Sequence, residues 1–335
     1  MIIDPKATKV NPQYARNFAM QTGVLQYSDY NATGVKKALD LLPQAIKKYG
    51  EMILAGNLSK GTRPWELVDV TSGLDPDSVW VGLEWETGFV SRQEYQGVVQ
   101  YMWQTHHNWA VDDEGIGPYR GEFTFPPIEL NKFTAGESMM DDMRKFMAEK
   151  NIITPTCYTQ IINSASGKPY TRKQDAREGW GMHVNISVPG ARDNELKWNF
   201  LGEVVRHIFQ YLLDGEDDDN ILIPLFGRDP YGWMYRRQNG GEMRWHEFKL
   251  FRTPASDEEV ERIRMVTTRL AEMMHDIVDN PGDYYTLPEK GWSHATIGRP
   301  TAENMRDYLL GDVELLELTS SVQVYHNTDF NRLFK

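Results

Sequence analysis

Residues 81–89, VGLEWETGF, determine the fold prediction, because two glutamates interrupt an otherwise apolar strand. Successive side chains of a strand point to opposite faces, so Glu84 and Glu86 leave the same face about 7 Å apart. Like charges at this separation are unfavourable unless a positive charge lies between them. Taken alone, the stretch is better explained by an exposed sheet face that carries two solvated glutamates.

The same pattern recurs on three further strand-like segments. Glu122 lies at the start of the apolar stretch GEFTFPPIEL, and His183 alternates with apolar residues in GMHVNISV. Glu247 and Lys249 share one face of RWHEFKLFR. Each position alone is better explained by a satisfied core polar group or an exposed face. Together they favour one polar sheet face that binds cations, and carboxylates with one imidazole suit Mg²⁺ or Mn²⁺ better than zinc.

The order of the segments indicates an α+β fold with a mostly antiparallel sheet and helices packed on one face. The predicted strands are 78–90, 121–130, 181–188, 221–226 and 244–252. The predicted helices are 33–50, which Pro43 interrupts, 138–150, 195–214 and one that begins at Ser256 with a capping box. Residues 163–180 and 214–220 are predicted to be long loops. Residues 1–75 are expected to form an N-terminal extension packed on a main domain of residues 76–335.

The composition excludes several classes of protein. The 335 residues carry a formal net charge of −12, which argues against broad attraction to nucleic-acid phosphates. Cys157 is the only cysteine, so no internal disulfide forms, and a reducing cytoplasm is expected. We find neither a signal peptide nor a run of apolar residues long enough to span a membrane, so no membrane partner is expected. The chain also lacks a P-loop motif and a nucleophile elbow.

Four motifs, in this order along the chain, resemble the amidoligase family of carboxylate–amine ligases. They are VGLEWETG, WAVDDEGIGPYRGEFTFPP, GMHVNISV and HEFKLFR, and they extend over about residues 81–252. This family belongs to the glutamine synthetase and glutamate–cysteine ligase superfamily, and its members are often encoded by bacteriophages. The resemblance implies a curved antiparallel sheet around an ATP site, with acids on the strands that bind Mg²⁺. It implies these metal ligands: Glu84, Glu86, Glu122, His183 and Glu247.

Further roles follow from the resemblance and from the needs of phosphoryl transfer. Asp113, or Asp112, corresponds to an aspartate that helps to position the substrate. The phosphates would be neutralised by Lys249, Arg252 and one or both of Arg236 and Arg237. For the tandem arginines, a solvated or salt-bridged surface pair is an equally good interpretation.

The chain also departs from the family pattern at three places. Lys249 stands where the family usually has arginine, which keeps the charge but loses the bidentate fork. Asn185 stands where a second histidine is common, and DDEGI replaces DGS. These departures leave room for an inactive member of the family.

The resulting functional prediction is an ATP- and Mg²⁺-dependent (or Mn²⁺-dependent) ligase. It would join a carboxylate to an amine as an amide or isopeptide bond through an acyl phosphate. The partner substrates could be an amino acid, a peptide or a protein side chain, and the oligomeric state is left open. Two alternatives remain at this point. One is a catalytically degenerate, phage-associated structural or interaction protein that keeps the fold, and the other is a metal-dependent hydrolase.

Overall fold

The structure of the protein is a computed structural model. The described residues are 12–26, 32–55, 74–89, 91–105, 110–112, 120–125, 127–152, 158–162, 169–173, 181–213, 225, 235–239, 244–252, 254, 256–286, 294–320 and 324–329.

Helices and strands alternate irregularly along these residues. The helices are α1 (Pro12–Gln21), α2 (Ala32–Leu54), α3 (Arg92–Thr105), α4 (Thr134–Glu149), α5 (Glu195–Leu213), α6 (Asp257–Asp279), α7 (Ala302–Leu310) and α8 (Leu315–Ser320). The strands are β1 (Trp80–Gly88), β2 (Ala110–Asp112), β3 (Arg120–Thr124), β4 (Ile128–Glu129), β5 (Tyr158–Ile162), β6 (Pro169–Lys173), β7 (Gly181–Ser187), β8 (Tyr235–Asn239), β9 (Arg244–Arg252), β10 (Tyr285–Thr286), β11 (His294–Arg299) and β12 (Val324–Asp329).

The largest sheet is open and has the strand order β2-β3-β1-β7-β9-β8, with β4 paired to β1. The pairs β1–β3, β2–β3, β7–β9 and β8–β9 are all antiparallel. The described residues also form a three-stranded sheet, β10-β11-β12, and a two-stranded sheet, β5-β6. The predicted α+β class with an antiparallel sheet is therefore confirmed.

The chain contacts divide the protein into two compact units. Unit 1 comprises residues 1–75, 82–128 and 135–155, and unit 2 comprises residues 76–81, 129–134 and 156–335. In unit 1, α1 packs on α2 through Phe18 and Tyr49, whose ring centroids are 5.1 Å apart. The ring of Tyr101 on α3 stacks on Phe146 of α4 at 4.0 Å. The predicted boundary at residue 75 stays a prediction.

Unit 2 is built around helix α5, which contacts α6, β8, β9 and β11. The ring of Phe209 on α5 lies 6.4 Å from that of Phe248 on β9. Nearer the start of α5, the ring of Phe200 meets that of Tyr285 of β10 edge-on, with the ring centroids 4.3 Å apart. The helical periodicity predicted for 195–214 therefore corresponds to a helix that buries its apolar side against sheet residues.

The start of α6 confirms the Ser256 N-cap of the predicted capping box. The Ser256 hydroxyl accepts a hydrogen bond from the backbone N–H of Glu259 at 3.2 Å. Three acidic residues fill the first turn of α6, where the helix dipole favours negative charge. The helix then buries an apolar stripe that includes Ile263, Val266 and Leu270.

Three predictions about local structure are wrong. The predicted loop 163–180 contains strand β6, which pairs with β5 from Ile162↔Pro169 to Tyr158↔Lys173. Helix α2 continues through Pro43, whose exposed position lets the helix tolerate the lost hydrogen bond. Of the predicted strand 221–226, only Leu225 is described, and it is helical and buried. The loop prediction for 214–220 lies outside the described residues, as do 163–168 and 174–180.

In the part of the chain that the structure describes, no helix combines the length and the apolar character needed to cross a membrane.

Candidate metal centre

The paired strands β7 and β9 have one apolar face and one polar face. Val184 is the register partner of Phe248, and both are fully buried on the face that α5 covers. On the next register position, Asn185 lies opposite Glu247. Residues one position apart on a strand point to opposite faces, so Asn185 and Glu247 lie on the face away from α5. Helix α5 thus covers the apolar face of these strands, and the polar residues lie on the opposite face.

Glu247 is the centre of this polar face. Its Oε1 lies 3.5 Å from His183 Nδ1 and 3.4 Å from Lys249 Nζ. The Glu247 side chain is only 6% exposed, that of His183 is fully buried, and that of Lys249 is 14% exposed. A carboxylate this deeply buried is costly unless cations or hydrogen-bond donors surround it. The polar face therefore concentrates charge in a place with little water.

An irregularity in the β7–β9 register sets the position of His183. Met182 pairs with Phe251 and Val184 pairs with Phe248, so β7 advances two residues where β9 advances three. Lys249 and Leu250 together lie opposite His183. Bulges of this kind re-aim side chains and are frequent next to functional sites. Here the bulge brings the imidazole near the carboxylate of Glu247 and the ammonium of Lys249.

Strand β1 carries the two glutamates from which the prediction started. Glu84 is half-buried, whereas Glu86 is only 7% exposed. The backbone register pairs Glu84 with Thr124 and Glu86 with Glu122, and Glu122 is in turn the partner of Asp112 on β2. Directly opposite positions of an antiparallel pair share a face with Cβ atoms about 5 Å apart. Three acidic residues thus occupy adjacent register positions on three strands.

His183 and Glu247 come together in the structure, and both belong to unit 2. The Nδ1 atom of His183 and the Oε1 atom of Glu247 lie 3.5 Å apart, and both side chains are buried. Ligand atoms about 2.1 Å from an octahedral Mg²⁺ are about 3 Å apart when adjacent and about 4.2 Å apart when opposite. The spacing of this imidazole and this carboxylate therefore matches two ligands of one divalent cation. Glu84 belongs to unit 1, and its place in the same metal centre stays a prediction.

Asn185 is a polar residue of this face that the sequence identified as an interruption of an apolar strand and as a departure from the family pattern, but that we did not assign as a metal ligand. Its Oδ1 is buried and accepts no hydrogen bond from the described residues. A buried amide oxygen without a donor loses its interaction with water, which costs about 1–3 kcal/mol. Amide oxygens are also accepted ligands of Mg²⁺. Its alternation with Met182, Val184 and Ile186 was the available signal, because it identified Asn185 as a polar interruption of a buried strand.

The remaining predicted site residues are placed by their backbones only. Arg236 is the register partner of Glu247, Arg237 of His246, and Arg252 of Gly181. Asp113 lies outside the described residues, whereas Asp112 ends β2. The register thus puts Arg236 beside the group around Glu247 and puts Arg237 one position farther along.

Sequence reasoning also missed Arg192, which follows β7 in a turn. It is 4% exposed, and its guanidinium carbon lies 3.4 Å from the centroid of a Trp80 ring. The only signal was the sequence VPGAR directly after a predicted strand, which is typical of any tight turn.

Comparisons with known proteins give little beyond this geometry. No protein-family model matches the chain, and no curated protein matches it. A similar solved structure is the complex between Prokaryotic Ubiquitin-like Protein Pup and its ligase PafA, at 11% identity and a TM-score of 0.27. The similarity covers 69% of this chain and 51% of that chain, so the chain spans about half the length of its match. A TM-score this low carries no argument about function, and the amidoligase family stays a prediction from the motifs.

Proposed function

We propose that the protein is an ATP- and Mg²⁺-dependent carboxylate–amine ligase. The observation that carries the proposal is the buried group around Glu247, whose Oε1 lies 3.5 Å from His183 Nδ1 and 3.4 Å from Lys249 Nζ. With Glu84, which the motifs assign to the same centre, His183 and Glu247 would form a donor set of two carboxylates and one imidazole that suits Mg²⁺ or Mn²⁺. The four motifs that resemble amidoligases supply the class of reaction.

The chain's own residues fit a bound divalent cation. Glu84, His183 and Glu247 would hold it, and the buried Oδ1 of Asn185 would gain the partner that the described residues do not supply. When bound, such an ion would supply positive charge that neutralises the phosphates of a nucleotide. We further propose that Glu86 and Glu122, which are paired in register, hold a second cation.

Cationic side chains would take the negative charge of the nucleotide. The ammonium group of Lys249 lies 3.4 Å from Glu247 Oε1, and its flexible stem would let the ammonium group reach a phosphate from there. Arg236 is the register partner of Glu247, so we propose it for the phosphates as well, with Arg237 and Arg252 as further candidates. Asp113 keeps its proposed role in positioning the substrate.

The proposed reaction balances in two steps. A carboxylate oxygen of the acid substrate attacks the γ-phosphorus of ATP, and the bond to the β–γ bridging oxygen breaks to release ADP. The amine then attacks the acyl carbon, inorganic phosphate leaves, and the amine loses a proton. The buried polar face excludes water that would otherwise hydrolyse the acyl phosphate. The acid and the amine could each be an amino acid, a peptide or a protein side chain.

The test begins with cation binding. We expect Mn²⁺ to bind the wild-type chain in calorimetry and Glu84→Gln to weaken binding by at least about 10-fold, because one charged ligand is lost. Glu149→Gln is the matched control, since Glu149 is an exposed glutamate of α4 in the same unit. Equal Mn²⁺ binding by wild type and Glu84→Gln would contradict the proposed ligand set.

The reaction itself is tested by trapping. Incubation with ATP, Mg²⁺, a panel of amino acids and hydroxylamine should yield ADP together with hydroxamates, since hydroxylamine intercepts acyl phosphates. Cleavage of an amide without ADP formation would instead indicate a metal-dependent hydrolase. Absence of both ADP and hydroxamate across acids, peptides and proteins would contradict the ligase proposal.

One observation favours a second candidate, a structural or interaction protein without turnover. Lys249 lies 3.4 Å from Glu247 and can itself neutralise this carboxylate without a metal ion. Under this candidate, Lys249→Met would destabilise the chain and no divalent cation would restore its stability. Under the ligase proposal, Mn²⁺ stabilises the Lys249→Met variant at least as strongly as it stabilises the wild type, because an opposing positive charge has been removed.

A further inference from the structure

After β7 the chain forms a turn that brings the Arg192 side chain back to the end of that strand. The N–H of Arg192 donates to the carbonyl of Val188 at 2.9 Å. Gly190, between them, has φ of +77°, which L side chains rarely adopt. A Cβ added at Gly190 would also lie 3.1 Å from Cγ1 of Val278. Glycine is therefore needed for the turn that places Arg192.

The Arg192 guanidinium binds both the end of β7 and the segment that leads into β1. Its Nε and Nη2 donate to Ser187 Oγ at 3.0 Å and to the Ser187 carbonyl at 3.1 Å. Nη1 donates to the carbonyl of Pro76 at 2.9 Å, and Nη2 donates to that of Ser78 at 2.7 Å. The flat guanidinium also covers the ring of Trp80, the first residue of β1. All of these residues belong to unit 2.

Ser187 extends the connection to β9. Its hydroxyl, which accepts from Arg192 Nε, donates to the carbonyl of Arg244 at 2.6 Å. The Arg244 Nη1 in turn donates to the carbonyl of Arg192 at 3.3 Å. Arg192, Ser187, Trp80 and Arg244 form a group that we call the Arg192 clamp. It joins the start of β1, the end of β7 and the start of β9.

The three strands joined by the Arg192 clamp are the strands that carry the proposed metal ligands. Glu84 lies four residues after Trp80, His183 four before Ser187, and Glu247 three after Arg244. At about 3.3 Å per residue, the clamp is thus about 10–13 Å from the ligands along each strand. A connection at one end of all three strands fixes their positions along the strand direction relative to one another. These positions set the distances between the side chains that the strands carry.

We infer that Arg192 is a positioning residue for His183 and Glu247, two ligands of the proposed metal centre, an inference that rests on the proposed function. Arginine is required because its planar fork donates to several acceptors at once and also stacks on an aromatic ring. Lysine keeps the charge but offers a single ammonium, so it cannot bind Ser187 and both carbonyls of the β1 segment in this arrangement. Residues that hydrogen-bond directly to metal ligands typically contribute 10- to 100-fold to metal affinity, so for the more distant Arg192 clamp we expect the lower end of this range.

The test compares Arg192→Lys with Arg206→Lys in the full chain. Arg206 lies on α5 in the same unit, where it pairs with Glu203 at 2.8 Å and is 38% exposed, so the same substitution leaves the clamp intact. Mn²⁺ affinity is measured by calorimetry at a temperature where both variants are folded. We expect about a 10-fold loss for Arg192→Lys and no change for Arg206→Lys. A destabilised Arg192→Lys variant with wild-type Mn²⁺ affinity would show a purely structural role and overturn the inference.

Hydrogen exchange separates failure of the clamp from failure of the metal centre. Without metal, Arg192→Lys should exchange faster than wild type in peptides covering 76–88 and 181–187, and unchanged exchange in both would overturn the inference. If wild type itself does not bind Mn²⁺, the proposed function fails and the positioning role fails with it, whatever the exchange data show. If Arg192→Lys does not fold, Ser187→Ala decides the matter, because it removes only the hydroxyl between Arg192 and Arg244. About a 3-fold loss of Mn²⁺ affinity supports the inference, and no loss overturns it.

Discussion

The substitution Glu247→Gln separates the two roles that Glu247 has in the proposed centre. Glutamine keeps the size of the side chain but removes the charge that Lys249 contacts at 3.4 Å. At an effective dielectric constant of about 20, this attraction is about 5 kcal/mol before desolvation is subtracted. Breaking a buried pair from one side costs about 3–5 kcal/mol. Because Lys249 is still 14% exposed and has a flexible stem, we expect a loss of about 2 kcal/mol of unfolding free energy without metal.

The assay is urea unfolding at pH 7, first with chelator and then with Mn²⁺. At a concentration 100 times its dissociation constant, a ligand that binds only the folded state adds about 2.7 kcal/mol. We expect this gain for wild type and most of it to be lost for Glu247→Gln. Glu203→Gln on α5 is the matched control, since its partner Arg206 is 38% exposed and the pair is worth at most about 1 kcal/mol. If Mn²⁺ stabilises Glu247→Gln as much as wild type, the assignment of Glu247 as a ligand is refuted.

Three further predictions concern the stability of the fold. Gly190→Ala should lower the free energy of unfolding in urea by about 1–2 kcal/mol, because φ is +77° at this position. Gly97→Ala in α3 is the control and should be neutral or stabilising, since nothing lies within 4 Å of its added Cβ. Equal effects of the two substitutions would contradict this account. Burial raises the pKa of Asp141, but the neighbouring lysine and arginine of α4 outweigh it and hold the pKa below its ordinary value. Asp141→Asn should therefore cost about 0.5–1 kcal/mol at pH 7. Because folding favours the ionised form of Asp141, the difference in unfolding free energy between wild type and Asp141→Asn should vanish as the pH falls below about 4. A difference that stays constant between pH 7 and pH 2 in chemical unfolding would argue against this prediction. Burial raises the pKa of Tyr285 to about 12, so wild type should lose stability as the pH rises from about 10 through 12. Tyr285→Phe should lose about 1 kcal/mol less than wild type at pH 11. Parallel pH profiles of the two proteins in thermal unfolding would refute this prediction.

The strands of the site were predictable because their signal is local. In β7 and β9, polar residues interrupt buried apolar ones with a period of two, and this period identifies both the strand and the face on which Glu247 lies. The α6 start was predictable for the same reason, since Ser256 and Glu259 are close in sequence. The class of fold followed from the order of such segments.

Neighbour relations between strands were not predictable, because they depend on pairing across long stretches of sequence. Glu84 and Glu86 have the same local signal, but in the structure only Glu86 lies opposite another acidic residue, Glu122, whereas Glu84 lies opposite Thr124. Which of the two glutamates pairs with an acid depends on the alignment of β1 with β3. The β5–β6 pairing was missed because polar residues dominate PYTRK, and the cross-strand partners that stabilise it lie about ten residues earlier. Arg192 was missed because three of its four acceptors are main-chain carbonyls, which leave no trace in residue types.

The position of β8 at one end of the strand order has a consequence for solubility. Among the described strands, β8 has a single neighbour, so one row of its main-chain N–H and C=O groups has no partner strand in that order. An unprotected row of this kind can recruit the same strand from another molecule and start aggregation. The sequence of β8, YRRQN, places two adjacent arginines and two amides there in place of β-branched residues. Adjacent positive charges on two approaching copies of this strand would repel each other, so we expect Arg236 and Arg237 to disfavour intermolecular sheet extension.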